Sequence, residues 1–131
     1  MVTFEDVKNN PEVQELIVGA QKQLDALGYT EHAHRHVSIV SNRAGKILET
    51  LGYDEHRIEL AKIAGYLHDI GNGVNRVDHA HSGAILAYTI LKDMGMDIKD
   101  RMEIMSAIGN HDEATGTAVS DISAALILAD K

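Results

Sequence analysis

The chain contains no cysteine, no tryptophan and a single proline, Pro11. Without cysteine there is no disulfide and no thiolate-bound zinc, so any metal must be held by nitrogen and oxygen. Aromatics make up only 4% of the 131 residues, which leaves Ala, Leu, Ile, Val and Met to fill the core. No apolar run approaches the roughly 20 residues that span a bilayer. Met1 to Asp6 lacks the basic-then-apolar order of a secretory signal, and a cytoplasmic location is the default expectation. Basic residues are also scarce: 12 Lys and Arg against 20 Asp and Glu give a net charge of -8. A body this acidic repels a phosphate backbone, which excludes non-specific nucleic-acid binding. A small anionic substrate stays compatible, because bound cations reverse the sign locally.

The length suits one domain, and a hydrophobic content of 44% is ordinary for a globular chain. Apolar residues recur at helical spacing. Asn10 is placed as an N-cap with Pro11 at the first helical position, and Val13, Leu16, Ile17, Ala20, Leu24 and Leu27 lead to a stop at Gly28. A short helical turn or frayed arm is expected before Asn10. Thr30 can cap a second helix through Val40, Ala44 and Leu48 that stops at Gly52. Asp54 opens a third, apolar over most of its circumference from Ile58 to Leu67 and therefore expected to be central. It ends near His68-Asp69, before the breaker Gly71-Asn72-Gly73. Asp78 and Asp97 can cap two more, ending near Gly95 and Gly109, and Ser120 or Asp121 begins a last apolar segment from Ile122 to Leu128. No strand-like alternation persists. The expectation is an all-α compact bundle of five to six helices.

Eight histidines are dispersed along the chain, at His32, His34, His36, His56, His68, His79, His81 and His111. His68-Asp69 follows the apolar run Ile63 to Leu67, His111-Asp112 lies just beyond another apolar helix, and Asp130 follows Leu126-Ile127-Leu128-Ala129. A carboxylate where a core ends is costly unless a cation or donor meets it. One shared polar pocket containing metal would resolve each case at once.

In their order and flanks, His36, His68-Asp69 and Asp130 resemble the H…HD…D signature of the HD-domain superfamily of metal-dependent phosphohydrolases. Gly65-Tyr66-Leu67-His68-Asp69-Ile70-Gly71 is similar to its central motif, and His79-Ala80-His81-Ser82-Gly83-Ala84 to its H-x-x-x-G-A element, which selects His79 over His81. Ile108-Gly109-Asn110-His111 and Leu128-Ala129-Asp130-Lys131 are similar to two further segments. The resemblance covers roughly residues 30 to 131, with residues 1–29 expected as an N-terminal helical extension packed on a single HD-like domain. It implies one metal on His36, His68, Asp69 and Asp130, and a second on His79 and His111 with Asp69 bridging. A mixed nitrogen and oxygen set fits Mn, Fe, Co, Ni, Zn or Mg. It also implies a phosphohydrolase cleaving a phosphate mono- or diester, including nucleotides, by metal-activated water, with His68 and Asp69 at the catalytic centre. The four His ligands bind only when neutral, so metal and activity should be lost at acid pH. Two other readings stay open: a non-catalytic metal-bound regulatory domain, and a di-iron oxygenase on the same fold.

The departures narrow the substrate. Asn110 stands where HD-GYP phosphodiesterases carry a second His, and Thr115-Gly116-Thr117 lacks their Gly-Tyr-Pro triplet. Ile70-Gly71-Asn72-Gly73 lacks the acidic pair of guanosine tetraphosphate hydrolases. Elsewhere blander roles are expected. His32 and His34 read as a solvated helix start, His56 as exposed, and His81 as a surface group or a neighbour of the ligands. Arg76 reads as a solvated loop residue, with a substrate phosphate within its reach as the alternative. Asp112 and Glu113 read as solvated loop acids, with an acid or base near His111 as the alternative, and Met94, Met96, Met102 and Met105 as core filler. A homo-oligomer is compatible with the sequence. The last segment has no terminating signal, so Asp130 depends on a helix that could fray.

Overall fold

The computed structural model describes residues 1–112 and 116–131, so Glu113 lies outside the described residues. Among them are seven α-helices and one 3-10 turn, and no strand. The helices are α1 (Phe4–Lys8), α2 (Pro11–Ala26), α3 (Ala33–Thr50), α4 (Glu55–Leu67), α5 (His79–Asp93), α6 (Ile98–Gly109) and α7 (Asp121–Ala129); the 3-10 turn is Ile70–Gly73. The all-α expectation holds, with one helix more than the five to six expected. The extra helix is α1, the short helical turn expected before Asn10, opened by a capping box between Thr3 and Asp6.

Most helix ends follow the local chemistry. The Asn10 side chain accepts from the backbone of Glu12 and Val13, Asp54 from Arg57, and Ser120 from Ser123. Gly28, Gly52 and Gly95 take positive φ just past helix ends, where a side chain would be strained. Two caps differ from expectation. The residue capping α3 is His32, not Thr30, and it makes no side-chain cap bond. Asp78 does precede α5, but in a left-handed conformation with φ 59° and with no side-chain bond to the helix amides.

Helix α4 is the central element. Ile58, Leu60, Ala61, Ile63, Ala64, Tyr66 and Leu67 are all buried, and α3, α6 and α7 pack around it. The approach of α3 is close because Gly65 has no side chain. A Cβ there would stand 2.9 Å from the Ser41 backbone nitrogen, and the buried Ser41 hydroxyl donates to the Lys62 carbonyl at 2.8 Å. This contact brings the start of α3 beside the end of α4. Val7, Val13 and Ile17 from α1 and α2 join the same apolar core. Met96 is buried and Met94 and Met105 pack against the core, whereas Met102 is exposed, so three of those four methionines fill the interior.

One polar tie joins three helices. Arg57 of α4 donates to Glu103 of α6, with one bond of 2.9 Å, and to Asp121 of α7. Burial raises the pKa of the Asp121 carboxyl, but the Arg57 guanidinium outweighs it and holds the group below 3.8. Arg57→Ala should therefore cost about 1–2 kcal/mol, between exposed and buried pairs, as read by chemical unfolding at pH 7. Because the folded pKa is the lower one, the contribution of Asp121 is present above 3.8 and is lost as pH falls further. The gap between wild type and variant should narrow in that acid range.

Candidate metal centre

The site forms where the C-terminal end of α4 meets the starts of α3 and α5 and the ends of α6 and α7. His68 caps α4, Asp69 follows it, and Asp130 caps α7. His36 comes from the first turn of α3, His79 begins α5, and His111 lies just beyond α6. All six side chains converge. Four imidazoles stand in a row: ring centroids are 5.1 Å apart from His36 to His68, 5.0 Å from His68 to His111, and 5.1 Å from His111 to His79.

Asp69 sits across this row. Its Oδ2 lies 3.4 Å from Nε2 of both His36 and His68, and its Oδ1 lies 3.4 Å from His79 Nε2 and 3.6 Å from His111 Nε2. Asp130 faces only the first pair, with Oδ1 3.0 Å from His36 and 3.3 Å from His68. The carboxylate in the middle thus offers one oxygen to each half of the site.

The ring nitrogens are sorted by the backbone. Nδ1–H of His68 donates to the Gly65 carbonyl at 2.6 Å, that of His79 to Arg76 at 3.0 Å, and that of His111 to Ile108 at 2.6 Å. Each carbonyl lies three residues back, so the helix end or turn carrying each ring also fixes its tautomer. In its neutral form each ring then presents the Nε2 lone pair to the site. For His68 that atom is fully buried and has no hydrogen-bond partner. For His79 and His111 the two Nε2 atoms face each other at 3.2 Å. Two lone pairs so placed repel unless a proton or a cation lies against them. An orphaned buried nitrogen and a pair of opposed nitrogens are what a metal-binding donor set looks like without its metal. His36, His68 and Asp130 offer ligand atoms within 4.8 Å of one another, as do His68, Asp69 and His111.

Electrostatics agree. Burial opposes charge on His68, yet Asp69 and Asp130 outweigh it and push its pKa up to about 9. Burial also works to raise the pKa of Asp69, but the imidazoles of His68, His111 and His79 hold it well below the carboxylate range. Asp130 is lowered in the same way, against burial, by His36 and His68. The site's anions attract positive charge into a buried place, and a bound metal would take the position of the His68 proton.

A cavity of about 490 Å³ opens beside these residues, lined also by Glu31, Arg76, Asp112 and Ile127. Its size suits a small ligand.

A family model described as HD domain matches residues 34–131. The chain belongs to the HD domain family. An uncharacterised protein of Methanocaldococcus jannaschii is 32% identical, over 66% of this chain and 42% of its own length. Ribonuclease Y of Acetivibrio thermocellus is 36% identical over 63% of this chain and 14% of its own length. The chain thus spans less than half of either relative. A solved structure, that of a predicted HD superfamily hydrolase from an uncultured Thermotogales bacterium, superposes with a TM-score of 0.66 at 30% identity. That match covers 94% of this chain and 68% of that one.

In this HD domain the expectations for Arg76, His56 and Asp112 need correction, while His34 and His81 stand at the surface. Arg76 is not simply solvated: it is half-buried in the cavity wall. His56 is also half-buried, with Nε2 3.0 Å from Asp100 Oδ1. His81 is exposed, 3.9 Å from Asp78, and takes no part in the site. His34 bonds Gln14 at 2.6 Å, away from the imidazole row. Asp112 lines the cavity rather than standing in open solvent. Glu31 escaped the sequence reading because an acid in a loop before a helix carries no periodic or motif signal. No helix among the described residues is long and apolar enough to cross a membrane.

Proposed function

We propose that this protein is a metal-dependent phosphohydrolase acting on a small phosphate ester. His36, His68, Asp69 and Asp130 would hold one divalent cation, and His79 and His111, with the other oxygen of Asp69, a second. The observation that carries this reading is the fully buried His68 Nε2, which has no hydrogen-bond partner and faces two carboxylates. Membership of the HD domain family and the likeness to a predicted HD superfamily hydrolase support the hydrolase class. When bound, the cations would supply a water that is deprotonated near neutral pH and positive charge for the phosphoryl oxygens. The chain's part is to fix the imidazoles of His68, His79 and His111 in one tautomer, keep Asp69 and Asp130 ionised, and surround the reacting group with a preorganised field. The acidic surface favours a small substrate over a nucleic acid, although the likeness to a ribonuclease keeps diesters among the compounds to test.

The test is a screen of phosphate mono- and diesters with protein stripped by chelator and then reloaded with Mn, Fe, Co, Ni, Zn or Mg. Hydrolysis that vanishes on stripping and returns with one of these ions is expected. Tight metal binding without turnover on the whole panel would instead indicate a regulatory domain. Oxygen consumption by an iron-loaded form would indicate an oxygenase. In the same assay His111→Ala should lose turnover more severely than the roughly 10–100-fold typical of residues that only support a ligand.

A further inference from the structure

We propose that Arg76 anchors the single phosphoryl group of the substrate, and that Asn72 and Tyr29 hold it in place for that purpose. The site would then take phosphate monoesters with one phosphoryl group rather than polyphosphates. This rests on the phosphohydrolase reading above.

Among the described residues, Arg76 is the one Lys or Arg lining the cavity, whose acidic walls are Glu31, Asp69, Asp112 and Asp130. Its position is defined by two contacts. Nη1 donates to Asn72 Oδ1 at 3.3 Å, and the guanidinium lies over the Tyr29 ring, 5.5 Å from its centroid. An Arg carries five N–H donors, and the one bonded to Asn72 leaves a fork suited to a phosphoryl group.

Asn72 connects this fork to the centre. It is almost wholly buried, and its Nδ2 donates to the Asp69 carbonyl at 3.0 Å. The same side chain therefore ties Arg76 to the backbone of the residue placed between the two halves of the site. Tyr29 comes from the loop after α2, outside the stretch matched by the HD family model. The segment before that match thus contributes a wall of the site, through Tyr29 beneath Arg76 and through Glu31. One Arg satisfies one phosphoryl group, and a carboxylate on the same wall repels a second. Glu31 would instead accept from a hydroxyl or amino group on the rest of the substrate.

The test uses the full chain loaded with Mn. Steady-state hydrolysis of p-nitrophenyl phosphate, a nucleoside monophosphate and a nucleoside triphosphate is measured beside calorimetric binding of inorganic phosphate. Arg76→Ala should raise KM and the phosphate Kd by roughly 10–100-fold, as for loss of a charged hydrogen bond, with bound metal unchanged. Arg76→Lys should recover part of this, because a point charge replaces a fork. Tyr29→Phe, which keeps the ring face, should stay within about twofold of wild type, whereas Tyr29→Ala should raise KM several-fold with kcat little changed. Unaltered KM and phosphate affinity in Arg76→Ala would overturn the proposal. So would a preference for the triphosphate, or a wild type that binds no inorganic phosphate. Phosphate binding that depends on Arg76 in a protein hydrolysing none of the esters would keep the anchor and sink the phosphohydrolase reading instead.

Discussion

Asp69→Ala should leave a folded protein that holds no metal at the centre and shows no measurable phosphate-ester hydrolysis. Every other proposed ligand serves one half of the site. Asp69 serves both, with Oδ2 toward His36 and His68 and Oδ1 toward His79 and His111. Its removal takes an oxygen from each half and also the anion that favours cations there. The loss should therefore exceed the roughly 10–100-fold that follows removal of a group that merely orients a ligand. Elemental analysis of purified wild type and variant, with turnover on the preferred ester, reads both effects. His81→Ala is the matched control: an exposed His in the same stretch of sequence, expected to change neither metal nor turnover. An intact Asp69→Ala protein that stays metal-loaded and active would contradict the assignment.

Gly71→Ala should cost stability on a scale rarely reached by one methyl group. A Cβ at Gly71 would lie 2.0 Å from the His79 carbonyl oxygen and 2.6 Å from the Gly83 nitrogen, both backbone atoms that cannot rotate aside. The 3-10 turn after Asp69 would have to move off the start of α5. The expected cost is about 3 kcal/mol or more, at or beyond the upper end for overpacked cores. It should appear as a large drop in melting temperature or a failure to accumulate folded protein. Gly73→Ala is the comparison, because a Cβ there meets nothing nearer than 3.7 Å. It should melt close to wild type. Equal stability of the two variants would show that the turn does not need this contact. In the folded fraction of Gly71→Ala the second half of the site should suffer first, since His79 is carried by the displaced helix start.

The sequence made the helices legible where period and punctuation agreed. Asn10-Pro11, Asp54 and Ser120 mark real starts because their side chains meet backbone amides. The failures have physical causes. Thr30 satisfies the local rule for a cap, but α3 begins at Ala33, packed under α2, with the Gln21 side chain accepting from its backbone nitrogen at 2.6 Å. Gly71 reads as a helix breaker, while its role is to let two backbones touch, a requirement set by a partner far along the chain. Of the six converging residues, His68-Asp69, His111 and Asp130 stand out in sequence because each follows an apolar segment, whereas His36 and His79 are named only by the resemblance of their flanks to the HD-domain motifs. Arg76, Glu31 and Asp112 could not be placed, since a loop charge looks the same in sequence whether it faces solvent or a cavity. Asp130 depends on α7, whose Ile122, Ala125, Leu126 and Ala129 are buried. That burial, rather than a terminating signal, holds its carboxylate beside His36 and His68.

Crystals grown with Mn and measured at its absorption edge give the most direct test of two cations about Asp69. Two anomalous peaks are expected per chain, one among His36, His68 and Asp130 and the other against His79 and His111, with a different Asp69 oxygen directed at each. Crystals that diffract well and show no peak at the Asp69 carboxylate, from protein that hydrolyses phosphate esters under the same metal concentration, would contradict a metal centre built on this residue.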